Sequence, residues 1–165
     1  MIELVKLKSN DKKLIDTLIT LELPLLKEYF YPILNKQEFS SISVFINKET
    51  IAREIKEKKR DYYIVCYEKN YIGFLEMQLK ENFFNILRFF LEKKHRNKGL
   101  GRKILNLLIE ESKKCGYNKI EASIVNSKSS SNSVFTSWGF VFQKEIARYL
   151  GGNVYLYEFV YRLNL

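Results

Sequence analysis

Phe89-Phe90-Leu91-Glu92-Lys93-Lys94-His95-Arg96-Asn97-Lys98-Gly99-Leu100-Gly101-Arg102-Lys103 is the stretch on which the reading of the fold turns. Its start completes Ile86 to Leu91, an apolar run broken only by Arg88, as expected of a strand covered on both faces. Its end opens a helix over Gly101 to Cys115. Ile104, Leu107, Leu108 and Cys115 share one face there, with Gly116 as the C′ residue. Between them, Lys93 to Lys103 carries six Lys or Arg and no acid. Gly99 and Gly101 lack a Cβ, so the chain can turn tightly and approach a ligand, while the amides of the first helical turn point outward unpaired. A strand, a glycine turn and a cationic helix N-terminus suit a phosphate or pyrophosphate, with Arg96, Lys98, Arg102 and Lys103 as charged reinforcement. No GxxxxGK[ST] occurs, and Ile104 stands where a GxGxxG fingerprint would place its third glycine.

Outward from this segment, the chain alternates strand and helix signals. Ile2 to Leu7 has the period of a strand. Lys12 to Tyr29 has helical spacing in Leu14, Ile15, Leu18, Ile19 and Leu21, with Pro24 expected to break or restart it. Phe39 to Arg60 predicts one or two helices. Tyr62 to Tyr67 and Tyr71 to Leu79 predict a hairpin across Glu68-Lys69-Asn70. Lys119 to Val125 alternates as a strand, and Ser129 to Trp138 reads as a short helix ended by Gly139. Val141 to Leu150 and Tyr155 to Leu163 form a closing hairpin around Gly151-Gly152-Asn153. The order predicts an α+β (mixed α/β) fold in which the last two helices make strand-helix-strand connections.

The 165 residues suit one domain, 1–165, and 46% apolar content argues against disorder. No apolar run reaches the roughly 18 to 20 residues of a membrane span, and the first residues lack a secretory h-region, so the expected location is cytoplasmic. Cys66 and Cys115 are isolated and read as reduced core thiols, with no metal cluster. A net charge of +9 favours a polyanionic partner: nucleic acid, an anionic membrane face or a phosphate-rich small molecule.

Arg96-Asn97-Lys98-Gly99-Leu100-Gly101 resembles the R/Q-x-x-G-x-G/A acetyl-CoA signature of the GNAT superfamily of N-acetyltransferases. Ser131-Asn132-Ser133-Val134-Phe135-Thr136-Ser137-Trp138-Gly139-Phe140 is similar to its A/S-x-x-L-Y/F-x-x-x-G-F motif. The resemblance implies a central twisted mixed sheet of about seven strands flanked by helices on both faces. It also implies acetyl-CoA as cosubstrate, no metal, and direct attack of a primary amine in a ternary complex. Carried over, Arg96, Asn97, Lys98, Gly99, Leu100, Gly101 and Arg102 would cradle the phosphates, and Leu91 would offer backbone hydrogen bonds to the pantetheine arm and thioester. Asn126, Lys128 and Phe135 would complete the cofactor contacts, although Lys128 stands where the family often has asparagine.

Phe135 also takes the place of a tyrosine that many members use to protonate the leaving thiolate. Phenylalanine cannot donate a proton. The loss is tolerable, since a general acid contributes about 10²- to 10⁴-fold and a thiol has a pKa of about 8.5. Tyr149, or Tyr155 or Tyr157, is the substitute acid to test, against aromatic packing in the sheet as the competing reading of each. Glu76, which interrupts an apolar strand, is the leading general base, against a solvent-facing alternative; Glu92 and His95 rank after it. By the same resemblance the acceptor groove would fall in about Leu14 to Arg60 and Arg148 to Tyr157, where Tyr29, Phe30, Tyr31 and Phe45 either line it or serve core and helix-helix packing. Two other readings stand: a basic nucleic-acid or ribosome-associated binding module, and a GNAT-like protein that binds CoA without turnover. The expected partners are acetyl-CoA and an amine acceptor, with a homodimer left open and no membrane.

Overall fold

A computed structural model describes residues 1–43, 46–125, 131–151 and 154–165. Its elements run β1 (Ile2–Lys6), α1 (Lys12–Phe30), α2 (Lys36–Ser43), α3 (Lys48–Lys56), β2 (Asp61–Tyr67), β3 (Asn70–Leu79) and β4 (Phe84–Leu91). After a 3₁₀ turn at Lys93–His95 come α4 (Leu100–Lys114), β5 (Lys119–Val125), α5 (Ser131–Ser137), β6 (Val141–Gly151) and β7 (Val154–Asn164). The expected helix start at Ser129 and the turn at Gly152-Asn153 lie outside the described residues.

The strands form one seven-stranded sheet in the order β1-β2-β3-β4-β5-β7-β6. Every pairing is antiparallel except β4 with β5, which α4 joins as a crossover. β7 then inserts between β5 and β6, so the α5 connection passes over one strand. Strand alternation sorts the core into two layers. Ile64 and Phe74 pack with Leu18, Leu26 and Ile51 of α1 and α3, whereas Leu75 and Met77 pack with Leu105 and Leu108 of α4. Helices therefore cover both faces, and the middle of β3, from Ile72 to Met77, is buried at every position because neither face meets water there.

Three expectations are corrected. Pro24 does not interrupt α1, which is continuous from Lys12 to Phe30. Proline in a helix interior costs about 3 kcal/mol, but Ile15 and Leu18 before it and Leu25, Leu26 and Phe30 after it are all buried, so the same apolar face is rewarded on both sides. The buried stripe of α4 is Leu100, Ile104, Leu105, Leu108 and Ser112; Leu107 is exposed. Cys115, expected in the core, is also exposed because it lies past that stripe at the helix end, while Cys66 is half-buried; both are free thiols. Among the described residues no helix is long and apolar enough to cross a membrane.

Candidate active site

The site begins where two parallel strands part. β4 and β5 pair only at Phe84–Ile86 with Ile120–Ala122. On the other side of β4 the register slips at the same level: Glu76 faces Arg88 and Met77 faces Ile86, leaving Leu87 as the extra residue of a bulge. A bulge bends its strand and raises local twist. Beyond it, the last residues of β4 and the end of β5 line a cleft instead of bonding to each other. The cleft has a volume of about 1620 Å³ and continues under α1 and α3. Single-ligand pockets span roughly 300 to 1,000 Å³, so two reactants can share it.

At one end stands the glycine turn. Asn97 has φ +57° and Gly99 φ +73°, both left-handed, and Gly99 caps α4 with nothing within 4 Å of where a Cβ would project. The helix offers no carbonyl to the amides of Leu100, Gly101 and Arg102, and the first main-chain bond of this turn is Lys103 N to Gly99 O at 3.2 Å. These amides and the positive helix end form an anion cradle on the cleft wall. Gly101 serves packing: a Cβ there would come within 2.8 Å of the Trp138 ring. Arg102 Nη1 donates to the Trp138 carbonyl at 2.9 Å, tying α4 to α5.

At the other end the sheet carries buried charge. Alternation turns Glu76 and Arg88 toward α1 and α3, with Phe74 and Phe90. Glu76 is 0% exposed; one oxygen accepts from Arg88 Nε and the other from Arg60 Nη1. Arg88 also reaches the buried Glu22 of α1 through Nη1, and Arg60 lies 3.5 Å from Glu54 of α3. The Tyr62 hydroxyl donates to Glu54. Although burial opposes ionisation of Glu76, its two arginines prevail and hold its carboxyl below the ordinary carboxylate range. Glu22, with one arginine and one buried oxygen without a hydrogen bond, is pushed up to about 7, chiefly by burial. Arg148 Nη2 donates to the buried Glu158 at 2.9 Å across the β6–β7 pair.

Residues 31–151 match the family model described as an acetyltransferase (GNAT) domain. The chain belongs to the GNAT acetyltransferase family. Its fold is shared with PaiA N-acetyltransferase from Thermoplasma acidophilum in complex with coenzyme A (21% identity, all of this chain and 99% of the other, TM-score 0.79). An acetyltransferase from Thermus thermophilus is similar at 17% identity, over all of this chain and 97% of the other, TM-score 0.70. A GNAT family acetyltransferase from Elizabethkingia anophelis with acetyl-CoA bound matches 72% of this chain and 84% of its own at 17% identity, TM-score 0.57. No curated protein matches the sequence.

The turn before α4 places several of the residues expected at the cofactor on the cleft, in different settings. Asn97, Gly99, Gly101 and Arg102 line the cleft, as does Phe135, whose ring packs on Trp138 and Phe140. Leu100 is a core residue, so only its main chain is available to a ligand. Lys98 faces a smaller depression beside the main cleft. Arg96 is occupied: its Nη1 and Nη2 grip Glu28 of α1 at 2.7 and 3.0 Å, and its Nε donates to the Leu91 carbonyl at 2.7 Å. It clamps α1 to the end of β4, so the side chain expected at the phosphates has protein partners at all three guanidinium nitrogens. Asn126 and Lys128, and Phe45 of the acceptor wall, lie outside the described residues.

The expected acid and base fare differently. Tyr149 is 59% exposed, packs against Tyr155 with the rings tilted by 48° and their centroids 5.2 Å apart, and does not line the cleft. Tyr155 and Tyr157 are exposed on the same hairpin. This geometry argues against a proton donor there, because a donor must lie within hydrogen-bond reach of the leaving group. Glu76 does border the cleft, yet it faces neither solvent nor a free substrate proton, since both its oxygens are held by arginines. That argues against it as the base and for a role in positioning Arg60 and Arg88. Among the weaker candidates, His95 lines the cleft and Glu92 pairs with Lys94 at 3.0 Å. Sequence reasoning missed Glu22, Glu54, Arg60, Arg88, Arg148 and Glu158; the usable signal was opposite charges, Glu76 and Arg88, inside two adjacent apolar strands.

Proposed function

We propose that residues 1–165 form a single catalytic domain, an acetyl-CoA-dependent N-acetyltransferase acting on a primary amine by direct attack in a ternary complex. The observation that carries this reading is the parting of β4 and β5 beside the Gly99 turn, within one cleft that also reaches α1 and α3. Acetyl-CoA supplies an acyl carbonyl activated as a thioester. The chain's own groups fit it: main-chain donors of Gly99, Leu100, Gly101 and Arg102 for the phosphates, and the unpaired edges of β4 and β5 for the amide arm.

The amine approaches along α1 and α3. In the transfer its nitrogen-carbon bond forms and the carbon-sulfur bond breaks; from an alkylammonium, one proton ends on the thiol and one is released to solvent. Holding both reactants in one cleft supplies much of the rate through effective molarity. Phe135 and Trp138 close the cofactor side with apolar surface rather than a proton donor.

The test is thiol release from acetyl-CoA against a panel of primary amines, with a folded Gly101→Trp variant as the blocked control. Acetylated product from some amine, lost in the variant, supports the reading. If coenzyme A fails to quench Trp138, the chain's single tryptophan, and salt-sensitive nucleic-acid binding appears instead, the reading is refuted.

A further inference from the structure

The charges of the acceptor end are unevenly matched. Each carboxylate that lines the cleft already has a cation: Glu28 has Arg96, Glu54 has Arg60, Glu76 has Arg60 and Arg88, and Glu158 has Arg148. Arg53 of α3 also lines the cleft and is exposed, yet it makes no ion pair among the described residues. Glu57, whose carboxyl feels its charge, is paired with Lys59 at 2.6 Å. Thr50, Arg53 and Glu54 are spaced i, i+3, i+4, so Arg53 stands on the α3 face that borders the cleft. The same cleft is also lined by the apolar side chains of Tyr29, Phe30, Ile33 and Leu156.

Resting on the acetyltransferase reading, we propose that the acceptor is a primary amine carrying its own oxyanion, a carboxylate or a phosphate, with Arg53 as the residue that binds it. A guanidinium pairs with either oxyanion through two parallel hydrogen bonds. A polyamine meets the opposite situation. Each additional ammonium would meet only carboxylates whose charge an arginine already balances, beside the uncompensated positive charge of Arg53. The apolar wall accommodates a hydrocarbon or aromatic body between amine and anion.

The experiment compares kcat/KM for matched acceptors: phenylalanine against phenethylamine, O-phosphoethanolamine against ethanolamine, and spermidine alone. Coenzyme A binding is followed separately by Trp138 fluorescence. The expected result is that the anionic member of at least one pair is preferred by about tenfold or more, the scale of a charge-assisted pair. Whichever pair shows it distinguishes carboxylate from phosphate. Arg53→Gln then cuts that preference by about tenfold, through KM rather than kcat, because the contact is equal in ground and transition states. Preference for the neutral members or for spermidine overturns the proposal. So does Arg53→Gln leaving the preference intact, or no turnover of any anionic amine while coenzyme A binds. If coenzyme A itself does not bind, the acetyltransferase reading fails first and takes this proposal with it.

Discussion

Glu76→Gln separates the two roles this residue could have. The wild-type carboxylate is wholly buried and accepts from Arg88 and Arg60, both of which are largely withdrawn from water. The amide keeps one acceptor but turns an N–H₂ toward a guanidinium, so the cluster loses a buried negative charge while keeping both positive ones. Breaking a buried pair from one side costs about 3 to 5 kcal/mol. Each arginine retains a second carboxylate, Glu22 for Arg88 and Glu54 for Arg60, so the lower end, about 3 kcal/mol, is expected here. For a chain of this length that lowers Tm by about 6 to 12 °C. Because arginine contacts hold the native carboxyl below its ordinary value of 4.5, its contribution is present above that value and fades as pH falls through the native one. The wild-type advantage over Glu76→Gln should therefore shrink in acid. Circular-dichroism melts from pH 3 to 8, with kcat/KM profiles on folded protein, check both points. A melt unchanged within 2 °C, or a basic group lost from the rate profile, would refute the positioning role.

Three other perturbations follow from the same geometry. Glu22 is pushed up to about 7, so between 4.5 and that value the folded protein holds a proton the unfolded chain has lost, and stability falls as pH rises through this window. Glu22→Gln removes the effect, so the Tm difference between variant and wild type should move toward the variant from pH 5 to pH 8; a constant difference contradicts it. Gly73→Ala should be severe: its Cβ would sit 2.2 Å from the Phe90 carbonyl oxygen and 2.8 Å from Leu91 Cδ2, forcing β3 and β4 apart at a cost of about 2 to 3 kcal/mol, read as a lower urea midpoint with weaker coenzyme A binding. Gly99→Ala meets open space and bears only the left-handed backbone penalty of about 1 to 2 kcal/mol, so coenzyme A binding measured calorimetrically should weaken by about five- to thirtyfold if that strain falls on the cradle.

Much of this molecule can be read without coordinates, and the reason is local. Strand alternation, the glycine turn and the α4 signal depend on neighbours within a few positions, so β4, the cationic turn, α4 and the closing hairpin stand where periodicity puts them. Where local rules failed, as at Pro24 and Leu107, tertiary burial chose a different answer from propensity.

The sequence by itself determined the elements, their order and a main-chain anion cradle before α4, because each arises from residues adjacent along the chain. Only the tertiary structure decided which charges meet. Arg88 and Glu22 are 66 positions apart and Arg96 and Glu28 are 68 apart, so their pairing depends on how α1 lies across the sheet. A charged residue in an apolar run announces that it needs a partner or a route to water, since an unpaired buried charge is prohibitively costly, but it does not say which partner. The same holds for the opening between β4 and β5: the bulge at Leu87 is a mismatch between two strands, and a mismatch exists only once the strands are paired.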